Sequence, residues 1–244
     1  MCCFCMLFDI HSHVIPGIDD GSETLEKSIE ILHGMERAGV KNLMLTPHYS
    51  VRRGYTPSKE KIISSYEILR EECLKREIGI RLYLGCEIEY SSDIPLMLQS
   101  GKLLTLADTK YVLVEFAPYA SFNDILSAVH GVIQVGYIPV IAHIERYRPM
   151  IKDIKNITYI KHFGALVQVN IDSVISGNFF MHRFIKKIIK GQLVDFIAGD
   201  VHSDLYTVSQ LERCAKLIED ISAKDYADRI MLDNAKDIFT REGE

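Results

Sequence analysis

The feature that most restricts what this chain can fold into is a repeated pairing: a short run rich in Val, Ile and Leu ends at a histidine or an acid, and a helical pattern follows. Runs that read as strands lie near 7–10, 40–46, 80–86, 111–116, 138–142, 166–170 and 196–199. Continuous apolar strands alternating with amphipathic helices imply parallel strands joined by crossovers. Periodicity alone suits a (β/α) barrel or a doubly wound sheet equally well. The polar residues separate the two. His11 and His13, His48, Glu87, Glu115, His143, and Asp200 with His202 each stand at or just past the end of a different strand. In a barrel those ends converge on one mouth, whereas in an open sheet they spread along an edge. The expectation is an α/β barrel of about seven strands.

Leu25, Ile29, Leu32 and Met35 recur at helical spacing, with Ser22 as the expected N-cap and Gly39 as the stop. Further helices are expected at 58–78, 122–136, 149–163, 179–190 and 208–221, with a last amphipathic segment at 226–239 closing the barrel or covering its floor. No linker, low-complexity tract or repeat interrupts the 244 residues, so they read as a single domain, 1–244. A net charge of -5 supplies no global basic field, which argues against a nucleic-acid partner. The first basic residue is Lys27, and no apolar run is long enough to span a bilayer, so neither a secretory leader nor membrane insertion is expected and the chain reads as cytoplasmic. The six cysteines include a single Cys-x-x-Cys spacing, Cys2 to Cys5, with no second pair to complete a zinc ribbon. Cys2, Cys3 and Cys5 read as an apolar lead-in to the first strand, with metal binding or acylation as the alternatives. No cysteine is followed six positions later by arginine, so a thiolate phosphatase is excluded.

Side chains two apart on a strand share a face, so His11 and His13 point the same way while Ser12 does not. The Pro16-Gly17 break can turn the chain back and bring Asp19 and Asp20 to the same place. Five of the nine histidines belong to strand ends, while His33, His130, His162 and His182 fall in helices. Any one of these polar residues alone reads as a cap or a polar turn. Together they read as a metal site. Imidazole and carboxylate without thiolate suit manganese, iron or zinc, and there are more ligands than one ion can use. Neighbouring cations can lower the pKa of a shared water and clamp the oxygens of a phosphoryl transfer.

His11-x-His13, Asp20, Thr46-Pro47-His48, Glu87, Glu115, the string from Ala142 through His143 and Arg146 to Tyr147, and Gly199-Asp200-Val201-His202 resemble the polymerase and histidinol phosphatase (PHP) superfamily. Within it, the opening motif with Ile-Asp-Asp-Gly-Ser and the Ala-His-Ile-Glu-Arg-Tyr string are similar to the bacterial metal-dependent protein-tyrosine phosphatases of capsule and exopolysaccharide synthesis. The resemblance implies a distorted (β/α)7 TIM-like barrel, the PHP fold, and a site for three divalent metals, manganese foremost with iron or zinc as alternatives. It assigns His11, His13, Glu87 and Asp200 to the first metal, with Glu87 bridging to a second held by Glu115 and His143, and Asp20, His48 and His202 to the third. It implies attack by a metal-activated hydroxide, with Asp200, His202 and Arg146 in catalytic roles and Arg146 contacting the phosphate; the plain alternative for Arg146 is an ion pair with Glu145. Asp9 has either a ligand-orienting or a structural role, and Asp19 is the structural neighbour of Asp20.

One position departs from the family pattern. A second arginine is expected a few residues after Asp200-x-His202, where Thr207 stands. Either the second phosphate contact is absent, or Arg52 or Arg53, in the 49–56 loop after His48, supplies it and binds substrate; the plain alternative is a solvated loop. Tyr119 and Phe122 read either as stacking partners for an aromatic phosphoester or as rim packing. The leading reading is a protein-tyrosine phosphatase acting on the tail of a bacterial capsule tyrosine kinase. A small-molecule phosphoesterase such as a histidinol-phosphate phosphatase is the alternative, and a non-catalytic metal-stabilised binding barrel is the alternative of another class.

Overall fold

A computed structural model describes residues 8–202 and 207–239. Cys2, Cys3 and Cys5, and the 203–206 stretch before Thr207, lie outside the described residues. The strands are β1 (Phe8–Asp9), β2 (Asn42–Leu45), β3 (His48–Tyr49), β4 (Arg81–Leu84), β5 (Glu87–Glu89), β6 (Tyr111–Glu115), β7 (Ile138–Ile141), β8 (Leu166–Asn170) and β9 (Phe196–Ala198). All pairings among them are parallel, in the orders β1-β2-β4 and β3-β5-β6-β7-β8-β9.

Two expected strands are each followed, past a break, by a short further piece. Residues 40–46 give β2, and the ladder resumes beyond Thr46-Pro47 as β3; Pro47 has no N–H to donate. Its carbonyl still accepts Glu87 N–H at 3.1 Å, which keeps β3 in step with β5. The 80–86 run gives β4 and stops at Gly85-Cys86, and β5 follows as a separate piece carrying Glu87. The first and last strands meet at a parallel bridge between Ser12 and Val201, where His13 N–H donates to Val201 O at 2.7 Å and Asp200 N–H to His11 O at 2.8 Å. That seam makes a ring of hydrogen-bonded neighbours: the distorted (β/α)7 barrel.

The helices cover the outside of this ring and bury one continuous apolar layer against it, including Leu43, Ile88, Val112, Val167 and Ile197. They are α1 (Leu25–Arg37), α2 (Lys59–Lys75), α3 (Ile94–Gln99), α4 (Phe122–Gln134), α5 (Arg148–Lys152), α6 (Lys155–His162), α7 (Ile171–Ser176), α8 (Phe179–Lys190), α9 (Val208–Glu219), α10 (Lys224–Asp228) and α11 (Asn234–Phe239). The expected Ser22 cap is displaced by two residues. Thr24 accepts Lys27 N–H at the head of α1, while Ser22 donates to Thr24 O. The expected helix at 149–163 is two, because Asp153 is extended and its side chain accepts Lys155 N–H.

A second, inner cluster fills the barrel: Ile10, Met44, Leu113, Val140, Ala142, Phe196 and Ala198, closed from below by Ala235, Ile238 and Phe239 of α11. The terminal segment thus covers the floor. Leu113 lies two residues before Glu115 and Ala198 two before Asp200, so strand alternation carries each polar side chain to the level above this apolar plug. No helix among the described residues is long and apolar enough to cross a membrane.

Candidate metal centre

The opening loop is held in shape before it offers any ligand. Ser22 N–H donates to His13 O at 3.0 Å and Gly17 N–H to Ser22 O at 2.8 Å, folding residues 14–22 back over the strand end. Gly21 lies so close that a Cβ there would run into the backbone and Cβ of His13. The fold-back delivers two adjacent acids to different tasks. Asp19 accepts from Gly21 N–H and His48 N–H and lies 2.8 Å from His13 Nδ1, so it fixes the histidine ring from behind. Asp20 reaches forward to His48 Nε2 at 3.3 Å and His202 Nε2 at 3.6 Å.

Four ligand atoms face one another at the centre. His11 Nε2 and His13 Nε2 are 3.2 Å apart; Glu87 Oε2 is 3.2 and 3.3 Å from them, and Asp200 Oδ1 is 3.4 Å from each. A tetrahedron whose corners lie ~2.0–2.1 Å from its centre, the zinc–nitrogen distance, has edges of about 3.3–3.4 Å. Both carboxylate oxygens are buried and accept no hydrogen bond. Buried polar atoms without partners are rare and costly, and two imidazole nitrogens facing each other cannot both carry a proton there. A divalent cation satisfies all four, so the residues fit a metal.

Two further groups adjoin. His48 Nδ1 is 2.9 Å from Glu87 Oε2 and 3.2 Å from Glu115 Oε1, and His13, Asp20, His48 and His202 form another set able to hold an ion. His143 Nε2 is 2.8 Å from Glu87 Oε1 but 3.9 Å from Glu115 Oε2, so it stands at the edge of the second group. His13 and His202 stack with centroids 4.0 Å apart. The eight strand-end residues named from the sequence, and Asp20 from the opening loop, thus meet at one mouth. His143 and Asp200 reach it through left-handed backbone, with φ of 32° and 56°, a conformation that non-glycine residues adopt at a cost and mainly at functional sites.

Charge is balanced inside the cluster. Burial raises the Glu87 carboxyl, yet His11 and His48 hold it well below the usual range, and Asp200 is likewise lowered by His11 and His13 against its burial. Burial opposes the imidazolium of His48, but Glu87, Asp20 and Glu115 together outweigh it, lifting the ring to about 10. Cations entering here displace protons from the imidazoles, so metal uptake is coupled to pH. Asp9 is pushed up to about 6 by burial; its Oδ1 accepts His11 N–H at 3.2 Å and Gly199 N–H at 3.0 Å, so it ties backbone across the seam rather than orienting a ring.

Three supporting residues had no role in the sequence reading. Gln168 Oε1 accepts His143 N–H at 2.7 Å and lies 3.4 Å from His11 Nδ1, while its Nε2 donates to Asn170 Oδ1. Asn170 in turn donates to Asp200 Oδ2 at 2.8 Å. Tyr147, fully buried, places its hydroxyl 3.2 Å from His143 Nδ1 and accepts Phe116 N–H at 3.1 Å. The available signal was the pair Gln168 and Asn170, two apart on the one strand that ended without an ionisable group.

Arg146 is exposed at the rim and donates to Asp200 Oδ2 at 2.7 Å, while Glu145 is buried and accepts Asn170 N–H, so the Arg146–Glu145 pair does not form. The 49–56 loop folds on itself through Ser50 and Tyr55. Arg52 Nε donates to Glu89 Oε1 at 2.5 Å, which anchors the loop to β5. Arg53 turns inward, with its guanidinium nitrogens 2.8 and 3.1 Å from the two His48 nitrogens and a close pair with Glu115. Thr207 caps α9, its hydroxyl accepting Gln210 N–H. Phe122 packs edge-on against Tyr159, whereas Tyr119 is 80% exposed.

The profile of a family described as capsular polysaccharide synthesis, CpsB/CapC, matches residues 7–240. A tyrosine-protein phosphatase CpsB from Streptococcus agalactiae is 31% identical over 240 residues, covering 96% of this chain and 98% of that protein. Among solved structures, one from work on YwqE of Bacillus subtilis and CpsB of Streptococcus pneumoniae, described as metal-dependent tyrosine phosphatases, superposes with a TM-score of 0.84 at 25% identity, over 94% of this chain and 92% of that one. A histidinol phosphate phosphatase of Lactococcus lactis shares the fold at a TM-score of 0.59 and 11% identity, over 88% of this chain and 94% of that one.

Proposed function

Since the chain belongs to the capsular polysaccharide synthesis CpsB/CapC family, we propose that it is a metal-dependent protein-tyrosine phosphatase, and that its substrate is the phosphotyrosine tail of a bacterial capsule tyrosine kinase in the cytoplasm. The observation that carries the metal half of this reading is the pair of buried, unbonded oxygens of Glu87 and Asp200 facing His11 Nε2 and His13 Nε2. We assign one divalent metal to His11, His13, Glu87 and Asp200, a second to Glu87, Glu115, His143 and His48, and a third to Asp20, His48, His202 and His13, with manganese as the expected ion. Bound metals lower the pKa of a shared water and stabilise charge on phosphoryl oxygens.

The protein side chains do the rest. Asp19 and Tyr147 hold the His13 and His143 imidazoles in orientation, Gln168 holds the His143 backbone and lies beside the His11 ring, and Asn170 holds Asp200. Arg146, released from Asp200, offers two parallel donors to a phosphate, and Arg53 offers a second guanidinium from across the mouth where Thr207 cannot. Arg52 is spent on Glu89 and serves the loop instead. The test is turnover of a phosphotyrosine peptide and of histidinol phosphate by manganese-loaded and chelated protein. Metal-dependent turnover of the peptide, lost in a His11→Ala, His13→Ala protein, is expected; turnover of histidinol phosphate alone would move the substrate assignment, and no turnover of either would refute the enzyme.

A further inference from the structure

Beside the metal centre, between the segments that follow β6 and β7, the rim opens into a groove of about 540 Å3 whose walls include Tyr119, Ser121, Phe122, Arg148, Pro149 and Lys152. One wall begins three residues beyond Glu115 and the other two residues beyond Arg146. The hydrogen bond between Phe116 N–H and the Tyr147 hydroxyl pins the two walls together at their base. The groove is therefore an extension of the same mouth.

Its charge is opposite to that of the chain. The protein carries a net charge of -5, yet no carboxylate lines this groove and two cations do. Among the described residues neither Arg148 nor Lys152 has an ion-pair partner. The nearby acids are committed elsewhere: Asp124 accepts from Ser121 N–H and Oγ in a capping box, and Asp153 accepts Lys155 N–H. Tyr119, 80% exposed, presents a bare ring beside them. Cations over an apolar floor suit a chain that brings carboxylates and some apolar surface.

We infer that this groove takes an acidic stretch of polypeptide next to the phosphotyrosine, its carboxylates against Arg148 and Lys152 and its backbone across Tyr119; the inference rests on the tyrosine-phosphatase reading and names the substrate's flanking sequence. Both cations are solvent-facing, so each contact is modest, together worth about tenfold in kcat/KM at low salt, and screening removes most of that at ~0.5–1 M salt.

The experiment compares kcat/KM of the manganese-loaded full chain on three phosphotyrosine peptides whose flanking residues are acidic, neutral or basic. The expected order is acidic, neutral, basic, with the acidic preference shrinking in high salt and levelled in an Arg148→Gln, Lys152→Gln protein whose melting temperature matches the parent. Equal kcat/KM for all three peptides, or an acidic preference that survives in the double variant, overturns the groove assignment alone. Absence of turnover of every peptide and of p-nitrophenyl phosphate overturns the phosphatase reading, and this inference with it.

Discussion

Tyr147→Phe removes a single oxygen from the wall of the metal centre, and its effect can be worked out from two contacts. The hydroxyl is buried, accepts Phe116 N–H at 3.1 Å and lies 3.2 Å from His143 Nδ1. Phenylalanine fills the same space and leaves both groups without a partner. An orphaned buried donor costs about 1–3 kcal/mol, which for a chain of this size lowers the melting temperature by roughly 2–12 °C. A second loss follows at His143. For Nε2 to bind a metal the ring must carry its proton on Nδ1, and the Tyr147 oxygen is the acceptor that favours that tautomer; outer partners of this kind are worth about 10–100-fold in metal affinity or activity. We predict both effects, read by calorimetric unfolding of metal-free protein and by manganese titration against a fluorescent chelator. A lowered melting temperature with unchanged manganese affinity would confine Tyr147 to supporting Phe116. If neither quantity moves, the reasoning from these contacts is wrong.

Gln168→Leu should act in the same direction, since it strips the acceptor from His143 N–H and a neighbour from His11; a fall in turnover of about 10–100-fold with retained circular dichroism is expected, and wild-type turnover would contradict the role. Chelation should lower the melting temperature, because ions that bind only the folded chain stabilise it by about 2.7 kcal/mol at a hundredfold excess over Kd; an unchanged transition after verified metal removal would count against a site of this kind. Burial raises the Cys214 thiol to about 12 from an ordinary 9.0. The unfolded chain therefore loses that proton first, so the stability is whole below about pH 9 and is lost as pH rises toward 12. Urea midpoints of metal-free protein should fall across that window, and less steeply in Cys214→Ala; parallel curves would refute the attribution.

Much of the fold was legible because two periods do not overlap: apolar runs of strand length marked the walls and three-and-four spacing marked α1, α2, α4, α8 and α9. The short continuations β3 and β5 were not legible, since the expected strands end at 46 and 86 and so few residues beyond them carry too little pattern to read as strand. Thr24 outcompeted Ser22 as a cap because the fold-back over His13 turns Ser22 toward Ser28 and Thr24. At the site, ionisable residues at strand ends announced themselves, whereas Gln168, Asn170 and Tyr147 did not. Neutral side chains gain their meaning from what they touch, and the contacts of Gln168 with His143, Asn170 with Asp200 and Tyr147 with Phe116 join residues 25 or more positions apart. The different tasks of Arg52 and Arg53 were also hidden, since only the folded loop shows which one Glu89 captures.

The seam between Ser12 and Val201 has a consequence for the lifetime of the protein. Asp9 and Gly199, bonded across it, are 190 residues apart, and a cation shared by His11, His13 and Asp200 would bridge a loop of nearly that length, a constraint on the order of 5 kcal/mol by the loop-entropy relation for cross-links. Should that join part, the ring becomes an open sheet whose first and last strands expose unpaired N–H and C=O groups, the kind of edge that seeds aggregation and invites proteases. Scarcity of metal in a cell would then shorten the survival of the chain as well as silence it.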